Sequence, residues 1–212
     1  MPFMTAPALR TDVLVSGGGF AGLSLALALG GAGFEVTVVE PGPAGGGGKA
    51  GFDGRVSSFA PDVRRMLERL GVWQRLPEFQ TVREIVVSGG TPDGHASPFF
   101  LHFGEGDGDA PPFDMVENRF MLAALNAAAA DQPRIRLLHG ARIETVETGP
   151  AGVAARLVDG RPVAARLLVS AEGRDSPLRE RFGIKTTGWS YGQSGIVCTV
   201  AHERPHDGIA QE

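Results

Sequence analysis

Three glycines near the start of the chain have the spacing of a phosphate-binding loop. Gly17, Gly19 and Gly22 form the pattern G-x-G-x-x-G. They follow a short apolar run, residues 13–15, which predicts a buried strand. Gly17 would allow a tight turn, Gly19 would let the backbone approach a pyrophosphate, and Gly22 would let the next helix pack against the sheet. The pattern therefore indicates binding of a dinucleotide.

The elements that must position these glycines follow in the expected order. Residues 20–29 are almost wholly apolar and rich in Ala and Leu, which predicts a buried helix. Its first amides, at Phe20 and Ala21, lie at the positive end of the helix dipole and would hold phosphates. A second strand, residues 35–39, ends at Glu40.

Glu40 follows the glycines by about twenty residues, where an acid accepts hydrogen bonds from ribose hydroxyls. An acid at this point favours an unphosphorylated ribose, and so FAD or NAD over NADP. The alternative is a glycine-rich turn that holds no ligand. The complete order of strand, turn, helix, strand and acid argues against that alternative.

Composition and charge narrow the class of protein. The 212 residues include 42% hydrophobic and 21% charged residues, which is ordinary for a globular protein with one domain or one domain and part of another. The net charge is -4 and no cluster of Lys or Arg is present, so nucleic-acid binding has no electrostatic support. A single cysteine, Cys198, excludes an internal disulfide and favours a reducing compartment.

The amino terminus lacks the sustained apolar run of a secretory signal. We therefore expect a cytoplasmic protein. Peripheral contact with the inner membrane, or association with other enzymes, stays open.

Further elements are predicted along the rest of the chain. Ser57 or Ser58 would cap a helix that runs to about Leu70, and Asn118 would cap an Ala-rich helix over residues 119–130. The compact apolar run 166–170 predicts a buried parallel strand. Residues 195–201 predict a final strand that has few partners within the chain, so we expect the sequence to be the front part of a longer protein.

The order of these motifs resembles that of a known family. GGGFAG, VVE, DGRVSS before a helix ending in LGVW, VENR and LLVSAEGRDSPLR occur in the order found in the FAD-dependent aromatic hydroxylases. Within them, the chain is most similar to the ubiquinone-biosynthesis hydroxylases. The tail GWSYGQSGIVCTVAHERPH is similar to the region where those enzymes enter their substrate domain. The resemblance extends from Asp12 to about Glu212.

The resemblance implies an α/β fold. A Rossmann-like FAD-binding domain with a parallel sheet and a β-meander would span residues 1–185, with an inserted β segment at about 81–116. Residues 186–212 would be the truncated beginning of a β-rich substrate domain. The later Gly-Asp motif of the family does not occur before Glu212.

The resemblance also implies a role for individual residues. Gly17, Gly19 and Gly22 would lie near the FAD pyrophosphate, and Glu40 would bind the ribose.

Two arginines and a second fingerprint complete the implied site. Arg55 would lie beside the cofactor and the path of a mobile flavin, and Arg119 would lie near the FAD. Glu172 and Gly173 would form the second fingerprint, which is tied to the use of both FAD and NAD(P)H. Glu172 stands where the family usually has Asp, so the chain departs from the family pattern at the position tied to NAD(P)H use.

The implied activity is hydroxylation of an aromatic ring by FAD with NAD(P)H as co-substrate and O₂. The substrate would be a small aromatic molecule, with a polyprenyl tail left open. Because the flavin carries the chemistry, no catalytic side chain is expected. No metal site is expected either, since Pro205 between His202 and His206 argues against a metal-binding helix.

Two other functions stay open. A flavin or NAD oxidoreductase that moves hydride without inserting oxygen would be compatible with Glu172. A truncated, non-catalytic remnant of an FAD domain would be compatible with the missing Gly-Asp motif.

Overall fold

A computed structural model describes residues 9–44, 54–90, 96–104 and 113–212. The chain divides into two compact units. The first comprises Met1–Lys49 and Leu122–Ser194, and the second comprises Ala50–Met121 and Gly195–Glu212. The predicted boundary at residue 185 stays a prediction.

The described residues form twelve strands and four α-helices. The strands are β1 (Leu9–Ser16), β2 (Val36–Glu40), β3 (Val56–Phe59), β4 (Gln80–Val82), β5 (Glu84–Gly90), β6 (Ala96–Gly104), β7 (Phe113–Glu117), β8 (Ile135–His139), β9 (Ile143–Gly149), β10 (Gly152–Leu157), β11 (Pro162–Ser170) and β12 (Ile209–Gln211). The helices are α1 (Phe20–Gly31), α2 (Pro61–Arg69), α3 (Asn118–Asp131) and α4 (Pro177–Arg181).

The first unit contains a six-stranded mixed sheet in the order β8-β2-β1-β11-β10-β9. The pairs β8 with β2, β2 with β1, and β1 with β11 are parallel, and the remaining two pairs are antiparallel. The predicted α/β fold with a parallel sheet is therefore confirmed. Parallel strands β1, β2 and β11 all end at the same edge, which is where ligands bind in open α/β sheets.

The core of this unit explains the apolar runs in the sequence. Val13, Leu14 and Val15 of β1 are all buried, as expected for a central strand that shows no alternation of polar and apolar residues. Helix α1 buries Leu23, Ala26 and Leu27. These residues hold α1 in a fixed position, and its amino end lies at the edge where β1 ends.

The second unit contains two three-stranded sheets, in the orders β3-β7-β4 and β12-β5-β6. In the first of these, β7 pairs antiparallel with both β3 and β4. In the second, β5 pairs antiparallel with β6 and parallel with β12. Helix α2 contacts β7.

The predicted serine cap of the helix after residue 58 is wrong. Ser57 and Ser58 lie in β3, where they pair with β7, and α2 begins after Ala60 with Pro61 in its first turn. Proline suits that position because its fixed φ angle matches the helix and its missing N–H has no partner to lose there.

The predicted final strand over residues 195–201 is also wrong. The structure describes this stretch and it contains no strand, and Ile196 in it is 92% exposed. Its β-favouring residues lack the hydrogen-bonded neighbour that a strand requires. Cys198 is consequently exposed.

Within the described part of the chain, none of the helices combines the length and the apolar character needed to span a bilayer.

Candidate dinucleotide site

A cleft of about 460 Å³ lies at the carboxyl ends of β1, β2 and β11, and its lining residues all belong to the first unit. Gly17 and Gly19 come from the turn after β1, and Glu40 comes from the end of β2. Glu172 and Gly173 come from the turn after β11. Five of the residues predicted from the sequence therefore share one cleft.

Two of the three glycines are required by close backbone contacts. Gly17 has φ of +106°, and a Cβ atom there would lie 2.4 Å from the carbonyl oxygen of Ala171. A Cβ atom on Gly22 would lie 1.9 Å from the carbonyl oxygen of Gly17. The start of α1, the turn after β1 and the turn after β11 are thus packed against one another without room for a methyl group.

Gly19 has a different surrounding. It is the residue before α1 and has an ordinary φ of -78°. Because glycine has no side chain, the start of α1 has no side-chain cap from this position. A Cβ atom on Gly19 would have no described atom within 4 Å. The first amides of α1, at Phe20 and Ala21, point out of this end of the helix. A helix amino end with open space beside Gly19 is suited to a phosphate group.

Glu40 lies directly against the glycine turn. Its Oε2 accepts a hydrogen bond of 2.6 Å from the Gly18 N–H, and its Oε1 accepts one of 2.7 Å from the Gly42 N–H. A Cβ atom on Gly18 would lie only 2.9 Å from the Glu40 Cβ. Sequence reasoning did not single out Gly18, although the run of three consecutive glycines was a signal for it.

Glu172 is held by hydrogen bonds within the protein. Its Oε1 accepts from the Ser16 hydroxyl at 2.6 Å. Its Oε2 accepts from the Ser176 hydroxyl at 2.6 Å and from the Leu178 N–H at 3.0 Å. The Ser170 hydroxyl lies 3.3 Å from the same oxygen. Ser16 and Ser170 were not identified from the sequence because serine at a strand end carries no pattern of its own, whereas the position of Ser176 before a helix was a capping signal.

These contacts change the acidity of Glu172. Partial burial acts to raise its pKa, but the hydrogen bonds from Ser16, Ser176, the Leu178 amide and Ser170 together outweigh burial. The pKa of Glu172 therefore lies below its usual value, and the side chain is a carboxylate at neutral pH.

The two predicted arginines belong to the second unit. The carbonyl oxygen of Arg55 accepts from the Asn118 N–H at 3.0 Å. The Arg119 guanidinium donates to Glu117 at 2.5 Å and lies 4.4 Å from the centre of the Phe120 ring. Their roles beside a cofactor stay predictions.

The residues of the cleft fit the diphosphate and ribose of a dinucleotide. The space in front of Gly19 is open at the helix amino end, and Glu40 offers carboxylate oxygens at the neighbouring strand end. The fold and this cleft define a dinucleotide-binding domain of the flavoprotein type.

The chain belongs to the FAD binding domain family, which it matches over residues 10–210. The ubiquinone hydroxylase UbiL of Rhodospirillum rubrum is 41% identical over 203 residues, covering 95% of this chain and 46% of that protein. The 3-demethoxyubiquinol 3-hydroxylase of Escherichia coli is 28% identical over 216 residues, covering 95% of this chain and 51% of that protein. The chain thus spans about half the length of these curated relatives.

Solved structures share the fold. PqsL of Pseudomonas aeruginosa, in complex with 2-aminobenzoylacetate, superimposes with a TM-score of 0.71 at 24% identity, over 86% of this chain and 48% of that one. The p-nitrophenol 4-monooxygenase PnpA of Pseudomonas putida superimposes with a TM-score of 0.70 at 19% identity, over 85% and 46%. Identities this low support a common fold and nothing finer.

Proposed function

We propose that the protein is an FAD-dependent monooxygenase that hydroxylates an aromatic ring in the manner of the ubiquinone hydroxylases, with NAD(P)H and O₂ as co-substrates. Membership of the FAD binding domain family and the named activities of the relatives support this proposal. The observation that carries it is the hydrogen bond between Glu40 and the Gly18 amide, beside the amino end of α1.

The first unit would hold the ADP half of FAD. The amides of Phe20 and Ala21 would bind the diphosphate, with Gly19 leaving room for it. Glu40 would bind the ribose hydroxyls, because a carboxylate has about four acceptor positions and its two backbone donors use only two of them. Bound FAD would supply the redox chemistry of oxygen transfer, while the protein binds and orients it.

The proposed substrate is a small aromatic molecule. The relatives are named as hydroxylases of ubiquinone and of demethoxyubiquinol, both of which contain a six-membered ring. A polyprenyl tail on the substrate, and with it peripheral contact with a membrane, belongs to the same proposal.

The FAD site is tested by replacing Gly19 with Ala. The φ angle of Gly19 suits alanine and the added methyl group meets no described atom, so Gly19→Ala should fold normally. The methyl group would occupy the space proposed for the diphosphate, and we expect FAD affinity to fall by at least about tenfold. Fluorescence titration of FAD measures this change.

Gly31→Ala is the matched control. Gly31 lies at the other end of α1, and a Cβ atom there also has no described atom within 4 Å. FAD affinity should not change in this variant. Equal FAD affinity in the wild type and in Gly19→Ala would contradict the proposed position of the diphosphate.

The activity is tested on the whole protein with FAD, NADH or NADPH, and a demethoxyubiquinol analogue. We expect O₂ consumption that depends on the aromatic compound, and a product that gains one oxygen atom by mass spectrometry. NAD(P)H oxidation without an oxygenated product would support the hydride-transferring oxidoreductase instead. A protein that stays colourless with added FAD would support the non-catalytic remnant.

A further inference from the structure

Both oxygens of the Glu172 carboxylate accept hydrogen bonds from within the protein. A carboxylate offers about four lone-pair positions. The Ser16 hydroxyl, the Ser176 hydroxyl and the Leu178 N–H use three of them at 2.6, 2.6 and 3.0 Å. The Ser170 hydroxyl lies 3.3 Å from Oε2, the oxygen that also accepts from Ser176 and Leu178. Glu40, in contrast, accepts from two backbone amides, those of Gly18 and Gly42.

The donors around Glu172 come from three different elements. Ser16 is the last residue of β1, and Ser170 is the last residue of β11. Ser176 precedes α4 and accepts a hydrogen bond from the Arg179 N–H, which makes it the cap of that helix. One carboxylate therefore joins two parallel strands of the sheet to the start of a helix.

The backbone next to Glu172 also contacts the glycine turn after β1 directly. The Ala171 N–H donates to the Ser16 carbonyl oxygen at 2.7 Å. The contact of Ala171 with Gly17, and of Gly17 with Gly22, leaves no room for a Cβ atom at either glycine. A shift of the turn 171–173 must therefore move Gly17 and the start of α1 with it, because packed backbone has little freedom to absorb the change.

We propose that Glu172 is a positioning residue that sets the spacing of the two turns bordering the cleft, and that it does not bind the cofactor itself. This inference rests on the proposed FAD site. The Glu172 side chain reaches Ser16 with one carboxylate oxygen and Ser176 with the other.

Two substitutions distinguish positioning from direct binding. Glu172→Asp keeps the charge but shortens the side chain, so it loses the hydrogen bond on one side, and we expect FAD affinity to fall about tenfold. Glu172→Gln keeps the length, and its amide can donate to the Ser16 hydroxyl while its oxygen accepts from Ser176 and Leu178. We expect a loss of only about threefold. Glu180→Asp, an exposed change in α4, is the matched control and should have no effect.

The opposite order would overturn the inference. A carboxylate that binds the cofactor would tolerate Glu172→Asp, the residue usual in the family, and would suffer more from Glu172→Gln. Ser16→Ala gives a second criterion. If Glu172 acts through Ser16, the losses in Ser16→Ala and Glu172→Asp should be less than additive in the double variant, whereas additive losses would contradict the proposal.

Hydrogen exchange keeps the inference testable if the wild type does not bind FAD, a result that would refute the proposed function for this chain. In that case Glu172→Asp should still increase amide exchange at residues 17–23 and 171–179, and Glu180→Asp should not. Unchanged exchange in Glu172→Asp would refute the positioning role. Failure of the FAD site and failure of the positioning role therefore give different results.

Discussion

Two glutamates border the same cleft, and the hydrogen-bond donors around them differ. Glu40 accepts hydrogen bonds from two backbone amides and retains acceptor capacity toward the cleft. Glu172 is surrounded by hydroxyl groups from strand ends and by the amide of Leu178. Both residues are glutamates at the same edge of the sheet, and under our two proposals the donors around each carboxylate distinguish a cofactor ligand from a positioning residue.

The lowered pKa of Glu172 makes protein stability depend on pH. Because the folded-state pKa lies below the ordinary value of 4.5, the carboxylate contributes stability above pH 4.5. That stability is lost as the pH falls through the folded-state pKa. Urea denaturation at a series of pH values should show a steeper loss of stability in the wild type than in Glu172→Gln, which cannot titrate. Parallel curves for the two proteins would contradict this assignment.

At the scale of elements, Arg64 links helix α2 to strand β7 of the second unit. Arg64 donates to Asp114 of β7 at 3.0 Å and to Glu68 of its own helix at 2.9 Å. Its guanidinium lies 5.2 Å from the Trp73 ring centre and 5.3 Å from that of Phe79. The Asp114 side chain is 4% exposed, whereas that of Glu68 is 36% exposed.

The two partners of Arg64 should differ in their contribution to stability. Asp114→Ala removes a buried acceptor from Arg64 and from the Thr81 hydroxyl, and should lower the free energy of unfolding by about 2 to 3 kcal/mol. Glu68→Ala removes a half-exposed partner on the same helix and should lower it by about 0.5 kcal/mol. Urea denaturation measures both, and equal losses would contradict the structural role given to Asp114.

For the whole molecule, the first unit supplies every lining residue of the cleft. In the proposed function, this cleft holds the diphosphate and one ribose, which belong to the ADP half of FAD. The chain as a whole spans about half the length of its curated relatives. Binding of FAD and turnover of a substrate are therefore separate questions, and the first can be answered with this chain.

ADP and riboflavin should behave differently with this chain. ADP carries the diphosphate and ribose that Gly19 and Glu40 would contact, so it should displace FAD and raise the melting temperature. At a concentration one hundred times its Kd, a ligand of the folded state stabilises a protein by about 2.7 kcal/mol. Riboflavin lacks these groups and should do neither. Thermal unfolding with each compound measures the difference, and stabilisation by riboflavin alone would place the main binding energy elsewhere.

The sequence alone was sufficient for the features that depend on local order. The run from β1 through the glycine turn and α1 to Glu40 is continuous, and each step has a pattern of its own in periodicity or spacing. The α/β class followed from it.

Only the tertiary structure decided which groups surround each side chain. Ser16 and Glu172 are 156 positions apart, and no periodicity links them. Residues 195–201 have the composition of a strand but no described neighbour to pair with, and Ser57 and Ser58 pair with β7 where a helix cap was predicted. The physical reason is the same in each case. A helix or a turn is specified by residues close in sequence, whereas a strand, or an acceptor such as Glu172, depends on partners that only folding brings near.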